Sequence, residues 1–379
     1  MISTILNVVL LAAALAAVCC GGPKAASPVS EEAQTAETAQ RAKGEFVTIA
    51  DMKARRMLHS VVLLLDGRVL VAGGMGFGSN MKALVSDEAE VYDPTTGQWS
   101  VTATMRAARH SLALALLPDG RVLAAGGLSK LRQAIRTAEI WDPKTGTWSP
   151  TQSMNEAREG TVSVVLTDGR VMVVGGVGDT FGDLTAVEVY DPASGTWSLV
   201  APMATPRHFH TATLLQDGRV LVTGGGRLDG PYLDTAEVYD PVADSWSAAG
   251  TMSDGRALHA ATLLKDGRVL VVGGAGRLTS ADLWDPKTNT WSPTADTKAP
   301  RAEHSATLLA DGRVLVAGGV GGLASAELYD PATGTWSDAG TMSAPRHQHK
   351  SLLLNDQRVL ITAGNGREGL LASAELYAP

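Results

Sequence analysis

Between His210 and Gly225 the chain sets two short β-prone runs, Thr211 to Gln216 and Arg219 to Thr223, on either side of Asp217-Gly218. Two such runs joined by Asp-Gly predict a tight hairpin, because a type I′ turn needs positive φ at both central residues. The Asp-Gly recurs at Asp66, Asp119, Asp168, Asp266 and Asp311, with Asp356-Gln357 as the lapse. A second hairpin follows the first: Ala236 to Asp240, a turn opened by Pro241, then Ser245-Trp246-Ser247. Proline fixes φ early in that turn. Three residues beyond each such proline stands Gly97, Gly146, Gly195, Asp244, Asn289 or Gly334, residue types that tolerate the left-handed region. Four strands per unit, named a to d in order, are therefore expected.

The unit repeats. Double glycines fall at Gly73-Gly74, Gly126-Gly127, Gly175-Gly176, Gly224-Gly225, Gly273-Gly274 and Gly318-Gly319, with a degraded Ala363-Gly364. Their spacings are 53, 49, 49, 49, 45 and 45 residues. Trp99, Trp148, Trp197, Trp246, Trp291 and Trp336 recur in phase. A glycine pair with a phased tryptophan at this period resembles the kelch repeat, one four-stranded blade each. The resemblance covers about nine-tenths of the chain and implies an all-β, seven-bladed β-propeller of antiparallel blades. The seventh unit stops at Tyr377-Ala378-Pro379, before its second hairpin. Gly44-Glu45-Phe46 and Met52 to Arg56 align with Gly97-Gln98-Trp99 and Met105 to Arg109. The N-terminal strand is therefore expected to complete the last blade, closing the ring and removing its sheet edges.

Composition narrows the function classes. A net charge of −7 and a pI near 5.6 offer no field for phosphate backbones, so no nucleic-acid partner is expected. The two cysteines are Cys19 and Cys20, which excludes disulfides, CxxC zinc sites and a cysteine nucleophile from the body of the chain. They follow an apolar run, Val8 to Val18, too short to span a bilayer as a helix and suited to a signal-peptide core. Pro23 to Lys43, rich in Ala, Glu, Gln, Pro and Ser, cannot bury enough surface to fold. This resembles a bacterial lipoprotein leader and implies export with lipidation at Cys19 (or Cys20). No Lys or Arg precedes the core, and Val18 stands where a small residue is usual; ordinary secretion is the alternative. The expected organisation is leader 1–20, flexible linker 21–43 and propeller 44–379.

The a–b and c–d turns should lie at one end of each blade and the b–c and d–a loops at the other. The turns are near-identical, whereas the b–c loops differ. From the second glycine to the recurring acid (Glu90, Glu139, Glu188, Glu237, Asp282, Glu327, Glu375) they hold 15, 11, 11, 11, 7, 7 and 10 residues. Function concentrates on irregular loops held by a rigid scaffold, so this is the expected binding face. Its candidate residues are Phe77, Phe181, Asp183, Asp229, Tyr232, Arg367, His208, His210, His347 and His349, with Leu370 beside them on an apolar surface. Each d–a loop also carries an arginine (Arg56, Arg109, Arg158, Arg207, Arg256, Arg301, Arg346), and all eight histidines follow one of them by one or three residues. An imidazole ring around one channel mouth could hold a metal or an anion. The other account is that Arg-x-x-His belongs to the repeat, each Arg pairing with the acid of its own or a neighbouring strand c. A feature present in every blade is better explained by a need of every blade.

No Walker A, HExxH, GxSxG or EF-hand spacing occurs, and no catalytic, cofactor or metal residues are assigned. Asp179, Asp183, Asp229 and Asp234 read as solvated loop acids rather than a Ca²⁺ site. The family resemblance brings in galactose oxidase and its relatives, whose copper centre involves a tyrosine cross-linked to a cysteine. Without a cysteine beyond Cys20 that centre cannot be built. It also brings in an exported enzyme that equilibrates sialic acid anomers with acid–base side chains alone, which stands as the alternative. The leading expectation is a monomeric, non-catalytic recognition propeller of the cell envelope or exterior, without cofactor, binding a protein or glycan and touching membrane only through a lipid anchor. A purely structural envelope component is the third reading.

Overall fold

The computed structural model describes residues 44–77 and 83–379; the leader, the linker, Cys19 and Cys20 lie outside the described residues. Seven four-stranded antiparallel sheets form the blades of a propeller. Their inner strands a are Ser60–Leu63, Ala113–Leu116, Val162–Val165, Thr211–Leu214, Ala260–Leu263, Ser305–Leu308 and Lys350–Leu353. Each packs on the inner strand of both neighbours, and the last packs on the first, so the ring is closed.

Strand b explains where the core sits. Val69–Ala72, Val122–Ala125, Val171–Val174, Val220–Thr223, Val269–Val272, Val314–Ala317 and Val359–Thr362 are buried at every position. A strand covered on both faces reads as a continuous apolar run instead of an alternating one. The core is a set of inter-blade layers: Met172, Val174, Val187 and Val189 of blade 3 pack against Val220, Val222 and Tyr239 of blade 4. Each buried Val or Leu contributes about 1.5–3 kcal/mol.

The outer strands clamp neighbours together. Trp99, Trp148, Trp197, Trp246, Trp291 and Trp336 each donate an indole N–H to a main-chain oxygen of the preceding blade, at 2.6–3.0 Å. Four of them stack at 4.9–5.1 Å on the strand-c tyrosine of their own blade. The seam follows the same plan. Glu45–Thr48 pairs with Ala374–Ala378 in the register Glu45↔Ala378 to Thr48↔Glu375, and Phe46 stacks on Tyr377 at 4.9 Å.

The first glycine of each pair sits where the next blade arrives. A Cβ on Gly224 (φ 59°) would lie 2.4 Å from the Arg256 carbonyl oxygen and 2.8 Å from the His259 ring, and Gly73, Gly175, Gly273 and Gly318 are crowded alike. That carbonyl accepts a hydrogen bond from the second glycine of the pair, from Gly74 to Gly319 and at Gly364. The glycines are therefore the joints between blades. At the seam Ala363 takes the position with φ 50°.

Candidate functional site

The b–c and d–a loops share one end of the propeller, and their repeating polar groups are consumed in holding it together. All seven arginines are buried, and each meets the acid of its own blade's strand c: Arg56–Glu90, Arg109–Glu139, Arg158–Glu188, Arg207–Glu237, Arg256–Asp282, Arg301–Glu327 and Arg346–Glu375, at 2.5–2.8 Å. Nη1 also donates to the carbonyl of the residue in the first-glycine position, as in Arg158 to Gly175 at 2.9 Å. The carboxylate accepts main-chain N–H groups from the incoming d–a loop, for example Asn155 and Glu156 on Glu188. Burial lowers the guanidinium pKa of Arg56, Arg109, Arg158, Arg207, Arg256 and Arg346, with the paired acid opposing it. These buried pairs are structural joints, although the Nε of Arg56, Arg158, Arg207 and Arg346 finds no partner among the described residues; removing one member of such a pair costs about 3–5 kcal/mol.

The histidines divide by their distance from the arginine. His59, His210, His259, His304 and His349, three residues on, lie buried between blades instead of ringing an open mouth. His59 Nε2 meets Thr362 Oγ1 at 2.9 Å, His259 Nε2 meets Thr211 and Thr223 at 3.0 Å, and His349 Nε2 meets Ser305 at 2.9 Å, in each case on the preceding blade. Burial lowers all five, His210 and His304 to about 3, so they are neutral at pH 7. His210 and His349 are therefore absent from the exposed face expected for them. His208 and His210 do not act as a pair either: His208 turns to Asp183, and His210 packs against Gly175. No group of three or more His, Cys, Asp or Glu side chains is placed to hold a metal among the described residues.

Two residues after each arginine the backbone adopts positive φ: Leu58, Ser111, Gly160, Phe209, Leu258, Glu303 and Gln348, at 50–59°. Their peptide groups hydrogen-bond from blade to blade, Phe209 N to Gly160 O, Leu258 to Phe209, Glu303 to Leu258, Gln348 to Glu303, Leu58 to Gln348 and Ser111 to Leu58, at 2.9–3.3 Å. Left-handed backbone in non-glycine residues costs about 1–2 kcal/mol each. Six such residues are held by this circumferential chain, which sequence reading does not reveal.

The groups that depart from the repeat are few. Asp183, in the b–c loop of blade 3, spans three segments. Its Oδ1 meets His208 Nδ1 at 2.6 Å, and its Oδ2 accepts the Leu228 N–H of the blade 4 loop at 2.6 Å. Burial raises this carboxyl, but the hydrogen bonds from His208 and Leu228 outweigh it and hold it below the usual range. Beside it Glu159 is raised by burial, with His208 opposing. The clamp joins the loop bearing Phe181 (70% exposed) to the loop bearing Tyr232 (48% exposed). Leu84 and Leu131 stand exposed on the b–c loops of blades 1 and 2, and Asp229 is exposed near Tyr232. Phe77 ends a small hairpin strand, Met75–Phe77; its side chain lies outside the described residues. Leu370 is buried against Met57 and Met75, so it is not part of an apolar surface.

Between blades 6 and 7 the face opens into a cleft of about 360 Å³ lined by Gly321, Gly322, His347, Asn365 and Arg367 among others. His347 Nε2 lies 3.4 Å from Asn365 Nδ2 and 3.8 Å from Glu303 Oε2. Nothing in the sequence marks Glu303; its buried carboxyl is raised by desolvation, with the Gln348 hydrogen bond opposing.

The profile of the KLHDC2/KLHL20/DRC7 kelch-repeats domain matches residues 119–319, more than half of the chain, and the kelch motif matches residues 56–106 and 301–343. The chain belongs to the kelch-repeat family. Among curated proteins none matches this kelch chain. Among solved structures, a fungal alcohol oxidase of the AA5 family in complex with copper is similar, with TM-score 0.72 and 19% identity over 89% of this chain and 77% of that one. At that identity the likeness shows the fold alone. The kelch propeller described here contains no cysteine and gathers no metal-holding group among its described residues, so its residues do not fit a cysteine-linked copper centre.

Proposed function

We propose that this kelch propeller is a non-catalytic recognition module that binds a protein or a glycan through its b–c and d–a loop face. One contrast carries the reading. The repeating Arg, acid and His side chains are buried in joints between strands and blades, whereas Leu84, Leu131, Phe181 and Tyr232, on four successive blades, stand exposed on that face. Exposed apolar and aromatic groups on a loop face offer a contact surface, and tyrosine is among the residues enriched at binding hot spots. Phe181 adds a second support. It holds φ 56° in a tight turn closed by its N–H to Gly178 O, a position where glycine would be unstrained.

The leader extends the proposal: an exported monomer, anchored through lipid on Cys19 or Cys20 and held off the membrane by residues 21–43. Labelling cells with a fatty-acid analogue tests this, and label that persists after Cys19→Ser with Cys20→Ser would refute the anchor. The recognition reading is tested by capturing glycans and envelope proteins on the chain from residue 44 onward. Phe181→Ala with Tyr232→Ala should remove the captured ligand; retention of every ligand would mean another surface is used.

A further inference from the structure

The seven inner strands ring a central channel, and Lys350, which opens the inner strand of blade 7, is their only charged residue. The equivalent positions hold Ser60, Ala113, Val162, Thr211, Ala260 and Ser305. Thr211 and Ser305 use their hydroxyls to meet the histidine of the next blade, His259 and His349. A lysine there sets out towards His59 of blade 1, but that ring already meets Thr362, and the longer side chain runs on into the channel. Lys350 is accordingly exposed, where Ala113 is buried and the other five are half-buried. Its amine nevertheless stays enclosed by protein. It lowers the pKa of both His59 and His349, and desolvation lowers its own with no carboxylate opposing. Access to water combined with desolvation describes a side chain in a narrow passage. No acid pairs with it among the described residues; Glu303, on the d–a loop of blade 6, is hydrogen-bonded by Gln348 instead.

We propose that the channel holds one small monovalent anion of the halide class against Lys350. A charge withdrawn from water is costly unless it is paired, and the inner strands offer Lys350 no partner of opposite sign. Low-dielectric walls focus the field of a lone charge, so an anion drawn from solvent supplies the missing partner. One ammonium balances one negative charge; a dianion would bring a second, unpaired charge into the channel. An ammonium is also a compact point charge, which suits a spherical ion better than a planar, forked group. The site lies inside the ring of blades and uses none of the exposed apolar tips, so it stands or falls apart from the recognition surface.

The NMR line width of chloride in the presence of the protein tests it. The native chain should broaden the chloride signal saturably, and bromide should reverse the broadening by competition. Sulfate at equal ionic strength should not, because screening alone is then held constant. Lys350→Met should lose the saturable broadening. Lys287→Met, which removes an exposed lysine from a c–d turn, should keep it, and so should Phe181→Ala with Tyr232→Ala. Crystals soaked in bromide give a readout that needs no variant: an anomalous peak within hydrogen-bond reach of Lys350 Nζ. Saturable broadening that survives in Lys350→Met, equal reversal by sulfate, or no bromide at Lys350 would each overturn the proposal.

Discussion

Blade 2 replaces the histidine of the Arg-x-x-His pattern by Leu112, which packs against Gly73 as the imidazole of His304 packs against Gly273. His304→Leu therefore repeats in blade 6 a solution the fold already uses. His304 is the clean choice, because neither ring nitrogen has a partner among the described residues. Burial depresses its pKa to about 3, whereas an unfolded histidine titrates near ~6.5. Between those values the unfolded chain holds a proton that the folded chain does not, so stability rises with pH. The contribution of neutral His304 is complete above about pH 6.5 and is lost as pH falls towards 3. Each pH unit in that window is worth a little more than ~1 kcal/mol, which gives roughly 2–3 kcal/mol between pH 6.5 and 4.5. Urea unfolding followed by tryptophan fluorescence at pH 7 and pH 4.5 measures it. The native chain should lose more stability than His304→Leu by about 2–3 kcal/mol. Equal losses in the two proteins would refute the account of a buried, neutral interlocking histidine.

Two glycines with similar φ separate strain from crowding. Gly97→Ala (φ 68°, nothing within 4 Å of the new Cβ) should cost about 1 kcal/mol, while Gly224→Ala, whose Cβ would meet the Arg256 carbonyl at 2.4 Å, should cost several times more; equal melting temperatures would contradict the joint between blades. Asp183→Asn should speed hydrogen exchange at the Leu228 amide and its neighbours while leaving the a–b turns unchanged; unchanged protection would show that the clamp does not hold the two loops. Removing residues 1–48 exposes the edge of Ala374–Ala378, and should lower the melting temperature and produce oligomers by size-exclusion chromatography. A monomer of native stability would contradict the seam.

The blades were legible because each strand and turn carries its own local chemistry. Asp-Gly and Pro-x-x-Gly mark the hairpins, and repetition of Trp99 and its counterparts fixes the phase; the Asp-Gly turns are not the expected type I′, because only the glycine of each pair (Gly67 and its counterparts) adopts positive φ and the aspartate does not. The seam was legible for the same reason, since Phe46 occupies a tryptophan position and stacks on Tyr377. Even the Arg–acid joints follow from recurrence, although only the folded structure shows that each acid belongs to the arginine's own blade. What escaped depends on contacts between blades. His259 reaches Thr211 and Thr223 of blade 4, partners 48 and 36 residues away, and no local pattern marks such a contact. Leu370 reads as an exposed apolar tip, but the small hairpin folds it onto Met57 and Met75. Asp183 resembles any loop acid until its two oxygens are found on His208 and Leu228. The positive φ of Leu58, Phe209 and Leu258 is imposed by the ring, and none of these residue types announces it.

The central claim is that departures from the repeat, on one face, are where this propeller engages its ligand. Hydroxyl-radical footprinting of the chain with and without its captured ligand tests it most directly. Protection should fall on Leu131, Phe181 and Tyr232, with the a–b turns around Leu65 and the c–d turn at Val242, also exposed, labelled equally in both states. Protection of Leu65 and Val242 with the loop tips unchanged would contradict the account.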